Sequence, residues 1–476
     1  MRDVDLLPLP IDRFEGILGP ERSEAFHRTM RTMAELLEGR RLWHVSSTGH
    51  GGGVAEMLHS LLGYVAGSGI DVRWSLIDAP GSFFEITKRL HNLLHEDPGD
   101  GGPLGDTQRR RYREALGGEA EALGHRVRTG DVVVVHDPQP AGLIPWLVRL
   151  GAIVMWRCHI GVDRPGELAR RAWRFLLSEV SPAEAYLFSR EGYVWEGLDP
   201  ARVRIVPPSI DAFSVKNQPM SGSSVDAILR AAGIVDGDGS GTPGFADPVD
   251  GATRRVRSAA STIPAEPCPP DVRLALQVSR WDALKDPVGV LRGFASITDT
   301  EAHLVLAGPD PASIPDDPEQ RTVVDEVIQT WKDLGAVRER THLVLLPMAD
   351  VEENAAIVNA LQRRADVVIQ KSLAEGLGLT VAEAMWKARP TIASRVGGIA
   401  DQIEDGRSGV LIDDPRDLDA FAGALSGLLL DGDGAARMGR EARRRVRERF
   451  LAPRQLEDEA RILCQLIGGG ASPRRA

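Results

Sequence analysis

The sequence has few cysteines and no long apolar segment. Only three of its 476 residues are cysteines, Cys158, Cys268 and Cys464, and their odd number and wide spacing predict neither a disulfide framework nor a thiolate metal site. No apolar run approaches the roughly 18 residues that a membrane helix requires. Residues 1–20 mix charged with apolar side chains, so we expect no signal peptide. These features favour a protein of the reducing cytoplasm with no membrane partner.

The sequence also has fewer basic than acidic side chains. The 57 Lys and Arg residues are outnumbered by 68 Asp and Glu residues, which leaves a formal net charge of −11. A general nucleic-acid binder presents a basic surface, so nucleic acid is not an expected partner. A content of 42% hydrophobic and 26% charged residues is ordinary for globular proteins and excludes collagen-like, coiled-coil and wholly disordered chains. The length predicts two domains, or one with a large insertion.

From about residue 40, short apolar runs alternate with segments of helical periodicity, which is typical of βαβ units around a parallel sheet. The first series of predicted strands comprises residues 42–45, 72–77, 132–136, 153–158 and 185–189. The second series comprises residues 274–278, 303–307, 342–346, 367–370, 391–394 and 409–412. The pattern therefore predicts two successive α/β domains.

Between the two series lies a segment of different composition. Residues 219–270 show little periodicity and are rich in Gly, Ser, Pro and Asp, so they are interpreted as a linker or surface insertion. The predicted organisation is an N-terminal domain (1–217), this linker or insertion (218–270), a C-terminal domain (271–450), and a final helix and tail (451–476).

Part of this segment imitates the first half of a calcium-binding loop. The imitation involves Asp236, Asp238, Ser240 and Gly241. The twelfth position is Asp247 instead of Glu, and no clear flanking helices are predicted. A disordered acidic loop is the favoured interpretation, and the role of the segment stays open.

A glycine-rich turn follows the first strand of the first domain. The sequence HVSSTGHGGGVAEML, residues 44–58, reads as a strand end, three glycines and a helix start. Because Gly51, Gly52 and Gly53 lack a Cβ atom, the backbone can take positive φ and approach a ligand while the helix N–H groups face it. The turn indicates an anion or sugar site and matches neither a Walker A loop nor a GxGxxG fingerprint. A tight turn without a ligand is the equally weighted alternative.

Two further motifs lie in the second domain. In QVSRWDALKDP, residues 277–287, Arg280 and Lys285 follow a strand's carboxyl end, where open α/β sheets place ligands, and both can neutralise a diphosphate. In KSLAEGLGLTVAEAMWKARP, residues 371–390, Glu375 lies in a glycine-bearing loop and Thr380 is expected to N-cap the next helix, with Glu383 following. The alternatives are isolated surface cations for the first motif and a capping box formed by Thr380 and Glu383 for the second.

These motifs together resemble a known family. The E-x7-E spacing, the upstream S-R-x4-K and the segment ASRVGGIADQIEDGRSGVLI (393–412) are similar to the donor half of retaining family 4 glycosyltransferases of the GT-B fold. The first half resembles trehalose glycosyltransferring synthases and their phosphorylase relatives, through the glycine-rich turn and RWSLID, KRLHNLLH, HDPQPAGLI, WRCHI and PPSID. The resemblance covers about residues 40–217 and 271–466. It implies two Rossmann-like domains facing across a cleft, with the C-terminal helix packing back on the N-terminal domain.

The resemblance also implies the residues of the donor site. It assigns Arg280 and Lys285 to the donor diphosphate, together with the backbone of Gly52 and Gly53. Glu375 would meet the hydroxyls of the donor sugar. The remaining residues implied for donor binding are Gly376, Leu379, Thr380 and, at the ribose, Glu383.

In the first domain, His159 matches the histidine that faces the transferred sugar, although a core histidine beside a strand end is the alternative. Asp137 and Gln139 are implied as ligands of the acceptor hydroxyls. A strand-terminating turn built on Pro138 and Pro140 is the competing account of that motif.

The activity implied by the resemblance is synthesis of α,α-trehalose from a nucleoside-diphosphate glucose and glucose, with retention and without a required metal or other cofactor. ADP-, UDP- and GDP-glucose all remain open as donors, and a homodimer is expected from related proteins. The alternatives are a trehalose phosphorylase, another family 4 glycosyltransferase, a non-catalytic sugar-nucleotide sensor, and a lipid glycosyltransferase that uses a basic C-terminal helix face. That face comprises Arg437, Arg440, Arg444 and Arg447.

Overall fold

The computed structural model describes residues 1–49, 52–237, 241–298, 300–313 and 318–468. Gly51 of the glycine-rich turn, and Asp238 and Ser240 of the acidic loop, lie outside the described residues. The chain divides into two compact units, Met1–Ser209 with Ala452–Ala476, and Ile210–Leu451. The division falls a few residues before the sequence-based boundary at residue 217.

The first unit is built on a seven-stranded sheet in the order β1-β3-β2-β4-β5-β6-β7. Its strands are β1 (Arg2–Val4), β2 (Leu42–Ser46), β3 (Val72–Leu76), β4 (Val132–His136), β5 (Ile153–Cys158), β6 (Ala185–Phe188) and β7 (Val203–Ile205). Strand β1 is antiparallel to β3, and the other pairings are parallel. Every residue of β4, VVVVH, is buried, as expected for a β-branched run in a sheet covered on both faces.

Helices connect these strands. They are α1 (Glu15–Leu18), α2 (Pro20–Leu36), α3 (Gly53–Gly67), α4 (Gly81–Leu94), α5 (Asp106–Ala115), α6 (Gly117–Gly124), α7 (Ile144–Arg149) and α8 (Glu167–Val180). Because strand side chains alternate between faces, Val133 and Val135 of β4 join one apolar cluster with Phe83 of α4 and Phe175 of α8. His136, at the end of β4, belongs to the opposite face.

The second unit contains a seven-stranded sheet in the order β10-β13-β12-β11-β14-β15-β16 and a separate β8-β9 hairpin. Its strands are β8 (Gly244–Ala246), β9 (Thr253–Arg255), β10 (Ser261–Ile263), β11 (Leu274–Val278), β12 (His303–Pro309), β13 (Thr341–Leu346), β14 (Val367–Gln370), β15 (Thr391–Ser394) and β16 (Val410–Ile412). Strand β10 pairs antiparallel with β13, while the strands from β13 to β16 are parallel. The parallel strands follow the Rossmann order.

The helices of this unit are α9 (Gly222–Ala231), α10 (Pro287–Ala295), α11 (Pro318–Lys332), α12 (Val351–Arg364), α13 (Leu379–Trp386), α14 (Ile399–Gln402), α15 (Leu418–Leu430) and α16 (Gly432–Arg449). Local sequence explains several of their starts. The Asp350 carboxylate, for example, accepts hydrogen bonds from the N–H groups of Glu352 and Glu353 at 2.9 and 3.0 Å and caps α12.

The segment 218–270 is folded to a greater extent than a linker. Ile228 and Leu229 of α9 are buried in the same apolar cluster as Leu361 of α12. Strand β10 extends the second sheet through β13. Its elements are short, so sequence periodicity does not reveal them, and they are held in place by packing against the rest of the second unit.

The expectation of a disordered acidic loop is wrong for the described part around Asp247. This residue lies in the turn between β8 and β9, where its carboxylate accepts a hydrogen bond from Val249 N at 2.9 Å and its N–H donates to Ala252 O at 2.8 Å. Turn formation by the aspartate side chain orders this hairpin.

The last helix, α17 (Ala452–Gly468), belongs to the first unit. Its Glu457 forms an ion pair with Arg22 of α2, and its Gln455 accepts a hydrogen bond from Ser209 Oγ at 2.8 Å. The predicted return of the C-terminal helix to the N-terminal unit is therefore confirmed. Within the part of the chain that the structure describes, no helix has the length and apolar character needed to cross a membrane.

Candidate active site

In the second unit, strand order reverses between the neighbouring strands β11 and β14. The loops after the carboxyl ends of two such strands form the usual ligand-binding crevice of an open α/β sheet. Arg280 and Lys285 lie on the loop that follows β11, and Glu375 lies on the loop that follows β14. The fold thus brings two distant sequence motifs to one edge of the sheet.

Lys285 and Glu375 form a direct ion pair across these loops. The Lys285 Nζ lies 2.5 Å from Glu375 Oε2, and the two side chains are only 15% and 12% exposed. Gln370 Nε2 and Ser372 Oγ each donate to the same carboxylate oxygen at 3.4 Å. Arg280 differs, since its side chain is 64% exposed and its Nη2 lies 3.2 Å from Asp282 Oδ2. The Lys285–Glu375 pair is therefore pre-positioned, whereas the Arg280 guanidinium reaches solvent.

A second ion pair joins the same two loops and was missed by sequence reasoning. The fully buried Lys371 pairs with Asp286, which adopts a left-handed backbone conformation (φ 49°) and caps α10 through Gly289 N at 3.0 Å. Leu373 N also donates to Leu284 O at 2.7 Å. A lysine directly after the apolar strand β14 was the available signal, but its partner depends on the fold.

The start of α13 differs from the sequence-based expectation. Gly378, in the left-handed region at φ 66°, is the N-cap residue, and no side chain caps this helix. Thr380 lies inside the first turn and donates to Gln370 Oε1 at 3.1 Å. The predicted N-cap role of Thr380 and its capping box with Glu383 are wrong, because the glycine-bearing loop turns into the helix two residues earlier. The helix begins at Leu379, and Gly376 lies two residues before the cap.

Glu383 lies deeper in α13 and is buried. Its Oε1 lies 3.7 Å from Lys216 Nζ, and its backbone carbonyl accepts a hydrogen bond from Lys387 Nζ at 3.1 Å. Lys387 Nζ also donates to Asn217 Oδ1 at 2.9 Å. The segment just before residue 218 therefore supplies polar partners to this helix.

In the first unit, strand order reverses between β2 and β4. The loop after β2 leads to α3 through Gly52, whose φ of 82° lies in the region that favours glycine. Gly53 is the first residue of that helix. The loop after β4 carries Asp137 and Gln139, so both motifs reach one edge of this sheet.

Three buried histidines form a chain along this edge. His44 Nδ1 lies 2.9 Å from His136 Nε2, and His136 Nδ1 lies 3.2 Å from His159 Nε2. Burial lowers the pKa of His44 to about 3 and holds the pKa of His136 and His159 well below the usual value, with the Arg157 cation contributing in the same direction. All three imidazoles are therefore neutral near pH 7.

Because the three imidazoles are neutral, the positions of their N–H hydrogens depend on one another. A neutral imidazole carries one N–H group, so each contact uses one donor and one acceptor nitrogen. The direction of one contact then sets the other and decides whether His159 Nδ1 is a donor or an acceptor. His159 Nδ1 is buried without a hydrogen-bond partner among the described residues. It is thus available for one ligand contact, which a satisfied core histidine would not offer.

Asp137 lies in the turn that follows β4 and fixes the backbone of His159. It adopts a left-handed conformation (φ 63°), and its Oδ1 accepts a hydrogen bond from His159 N at 2.7 Å. Desolvation raises the pKa of this carboxyl to about 7. Gln139 Oε1 is buried and lacks a partner within the described residues. Tyr112 donates to Pro138 O at 2.6 Å and braces the same turn.

Arg157 is a further polar residue that sequence reasoning missed. It is buried on β5, its Nη1 lies 3.3 Å from Glu459 of α17, and its Nη2 donates to Val206 O at 3.2 Å. It is the cation that contributes to the low pKa of the histidine chain. Helix α17 thereby contacts the polar network that ends at His159.

The two Rossmann-like units, with a lysine–glutamate pair where the second sheet reverses its strand order, are those of a GT-B glycosyltransferase. Residues 261–445 match the family model described as "Glycosyl transferases group 1". A solved α,α-trehalose 6-phosphate synthase from Burkholderia multivorans shares the fold, with a TM-score of 0.66 at 14% identity over 91% of this chain and 100% of that chain.

Residues 44–195 match the family model described as "Trehalose synthase, N-terminal domain". A trehalose synthase from Rubrobacter xylanophilus is 34% identical over 92% of this chain and 94% of its own length. A trehalose phosphorylase from Pleurotus pulmonarius is 27% identical over 88% of this chain and 56% of its own length. The chain belongs to the trehalose synthase family and is a hexosyltransferase.

Proposed function

We propose that this protein synthesises α,α-trehalose by transferring glucose from a nucleoside-diphosphate glucose to free glucose with retention of configuration. The observation that carries the proposal is the Lys285–Glu375 pair at the strand-order reversal of the second sheet. Membership of the trehalose synthase family supports the choice of product. ADP-, UDP- and GDP-glucose are all candidate donors.

The second unit binds the donor in this proposal. Lys285 and the solvent-reaching Arg280 neutralise the diphosphate as negative charge develops on it, which is the task that a divalent metal would otherwise perform. The first-turn N–H groups of α13, at Leu379 and Thr380, add positive potential. Gly376 lets the preceding loop approach the ligand. The charge neutralisation is thus supplied by the chain.

Two glutamates recognise the sugars of the donor. Glu375 accepts hydrogen bonds from hydroxyls of the transferred glucose, and its ion pair with Lys285 keeps its carboxylate oriented. Glu383 meets the ribose hydroxyls. Each hydroxyl that loses water on binding requires such a partner.

The first unit provides the remaining sugar contacts. His159 uses Nδ1, which has no partner in the described chain, to contact a hydroxyl of the transferred sugar. Gln139, with its own unmatched Oε1, and Asp137 contact the acceptor. The backbone of Gly52 and Gly53 supports the diphosphate.

The transfer step breaks the bond between the sugar C1 and the diphosphate oxygen and forms one between C1 and the acceptor oxygen. The acceptor attacks from the face that the diphosphate leaves, and the acceptor proton passes to a diphosphate oxygen. No covalent intermediate on Glu375 is proposed, because its carboxylate is assigned to the sugar hydroxyls and no glycosidase-type pair of nucleophile and acid carboxylates was found in the sequence. The product has the configuration of the donor.

A trehalose phosphorylase is the second candidate, favoured by the similarity to the Pleurotus pulmonarius protein. In that reaction inorganic phosphate occupies the position of the diphosphate, so Arg280 and Lys285 keep their roles. The ribose role of Glu383 then has no meaning.

The test is product identification. Purified protein is incubated with glucose and each of ADP-, UDP- and GDP-glucose, and a parallel reaction contains trehalose and phosphate. Trehalose from a nucleotide donor supports the synthase and identifies its base. Glucose 1-phosphate from the parallel reaction alone supports the phosphorylase. Binding of a donor without any product would indicate a sugar-nucleotide sensor.

We also propose that the protein is cytoplasmic and forms a homodimer. Its partners are small-molecule sugars and a sugar nucleotide. Sedimentation with anionic liposomes tests the lipid glycosyltransferase alternative. In the described structure, Arg444 of the basic α16 face pairs with Glu441 and Glu448, which is typical of a solvated helix. We expect the protein to stay in the supernatant.

A further inference from the structure

A cluster of metal-ligating side chains lies at the amino-terminal edge of the second sheet. Potential ligand atoms of Cys268, His303 and His342 all lie within 4.8 Å of one another. His303 begins β12 and His342 lies near the start of β13, while Cys268 precedes β11. This edge is opposite to the carboxyl ends that carry Lys285 and Glu375. The cluster is therefore separate from the donor loops of this unit.

The odd number and wide spacing of the three cysteines predicted no thiolate metal site, and sequence reasoning did not associate Cys268 with His303 or His342. The fold changes this by pairing β12 with β13, which places His303 Nδ1 2.9 Å from His342 Nε2. The rings are stacked with centroids 5.2 Å apart. Cys268 and His342 are buried, and His303 is half-buried. His342 Nδ1 is buried without a hydrogen-bond partner in the part of the chain that is described.

The backbone of each ligand residue is held in place. Cys268 N donates to Ile234 O at 2.9 Å, and Cys268 O accepts from Asp236 N at 2.9 Å. His303 N donates to Arg273 O at 2.8 Å, and His342 pairs with Val305 in the β-sheet. Such fixed backbones limit the entropy lost when side chains close around an ion.

We propose that Cys268, His303 and His342 form a zinc-binding site. One thiolate and two imidazoles are ligands that Zn²⁺ prefers, and a water molecule can complete the tetrahedron. The half-buried His303 provides access from solvent. On binding, the Cys268 S–H bond breaks, an S–Zn bond forms and the proton passes to solvent.

The required movements are small. Tetrahedral bonds of about 2.1 Å to nitrogen and about 2.3 Å to sulfur separate the ligand atoms by roughly 3.3–3.6 Å. The two histidine nitrogens, at 2.9 Å, would move apart by a few tenths of an ångström. The Cys268 sulfur lies within 4.8 Å of the other ligand atoms and would approach by up to about 1.2 Å, which a change of side-chain rotamer can supply.

The site also indicates a role for the 218–270 segment. Cys268 belongs to this segment, whereas His303 and His342 belong to the sheet. A bound Zn²⁺ would therefore fasten the segment to the core of the second unit. Because the ion binds the folded chain preferentially, it would stabilise that unit.

The experiment uses the full-length protein, treated with EDTA and then titrated with Co²⁺ or Zn²⁺. We expect one Co²⁺ per chain, with the thiolate-to-cobalt charge-transfer absorption that reports a Cys ligand, and loss of that absorption when Zn²⁺ is added. Zn²⁺ should also raise the Tm of the wild type. C268S should lose the absorption and the rise in Tm, whereas C464S, which changes a cysteine of the first unit, should retain both.

The proposal is overturned if the wild type gives no charge-transfer absorption, or if the absorption persists in C268S. If C268S does not fold, H303N provides the second variant, because its side chain is half-buried and its loss leaves the core intact. H303N should bind Zn²⁺ more weakly than the wild type. Zn²⁺ affinity equal to the wild type in H303N would overturn the proposal, and the three residues would then be a hydrogen-bonded cluster without a metal role. Neither readout depends on catalysis.

Discussion

The ammonium group of Lys285 lies 2.5 Å from the carboxylate of Glu375, although the residues belong to loops separated by β12, β13 and β14. The contact compensates two charges that are largely withdrawn from water. A hydrogen bond between charged partners is stronger and more directional than one between neutral groups. The pair therefore holds both side chains at the edge of the sheet where the donor is proposed to bind.

We expect Lys285→Ala and Glu375→Ala each to lower kcat by about 100- to 1,000-fold, the loss typical when one group that stabilises transition-state charge is removed. Steady-state rates of trehalose formation measure this, and thermal unfolding checks that the variants fold. Lys332→Ala, at the exposed end of α11, is the matched control and should keep the wild-type rate. Normal rates in both site variants would refute their assignment.

His136 is expected to position His159. His136→Phe keeps an aromatic ring but removes both nitrogen contacts, so His159 loses the neighbour that orients its ring and selects its tautomer. We expect kcat to fall by up to about 100-fold. His136→Gln, whose amide can hydrogen-bond, should restore part of the loss. His125→Gln, on the surface, serves as the control. Full activity in His136→Phe with unchanged Tm would show that the histidine chain has no positioning role.

Asp137 should give stability a specific pH dependence. Its pKa is 3.8 in the unfolded reference and about 7 in the fold, so between these values the folded chain retains a proton that the unfolded chain has released. The contribution of Asp137 to the free energy of unfolding therefore falls as pH rises through this window. Asp137→Asn has no carboxyl group to ionise, so it lacks this pH-dependent loss of stability. Its amide oxygen can still accept the hydrogen bond from His159 N.

The Tm of Asp137→Asn relative to the wild type should therefore increase from pH 4 to pH 7 and then level off. Taking the difference removes the opposing contributions of the buried His44, His136 and His159, which are present in both proteins. Asp419→Asn, on the exposed start of α15, should show no such trend. A relative Tm that is flat or decreasing for Asp137→Asn would contradict the raised pKa.

Lys371 should matter for folding, although sequence reasoning assigned no role to this first residue of the 371–390 motif. Lys371→Met leaves Asp286 without its cation partner, and breaking one side of a buried pair costs about 3–5 kcal/mol. Because Asp286 is 18% exposed and still caps α10, we expect a value near the lower end. Urea unfolding of the variant measures it, with Lys332→Met as the control. A loss below about 1 kcal/mol would show that the pair adds little to stability.

Much of the architecture could be predicted from local patterns. The apolar runs at residues 132–136 and 367–370 coincide with β4 and β14, because a strand buried on both faces must be apolar along its whole length. The short edge strands β1 and β10 and the helix α9 were not predicted. The two strands have three residues each, and α9 lies in a segment rich in Gly, Ser, Pro and Asp, so the local pattern is too short to reveal them; they gain order by pairing with or packing on longer elements.

The candidate site divides in the same way. The sequence pattern predicted that Arg280, Lys285 and Glu375 follow strand ends. Ligand-binding loops lie at the carboxyl ends of parallel strands. The N-cap of α13 was assigned incorrectly to Thr380, since a glycine in the left-handed region ends the loop at Gly378. The residue pattern alone does not distinguish a helix capped by Gly378 from one capped by Thr380.

The amino-acid sequence was sufficient for the fold class, the alternation of strands and helices, and the loops that carry chemistry, because these depend on hydrophobic period and local backbone preference. The partners of His159, Lys371 and Cys268 were settled by the folded chain. Each contact joins residues from different strands or loops, and its distance depends on which strands become neighbours and in what register. Burial then lowers the pKa of His159 and raises the pKa of Cys268, so the electrostatics of these two groups also follow from tertiary packing.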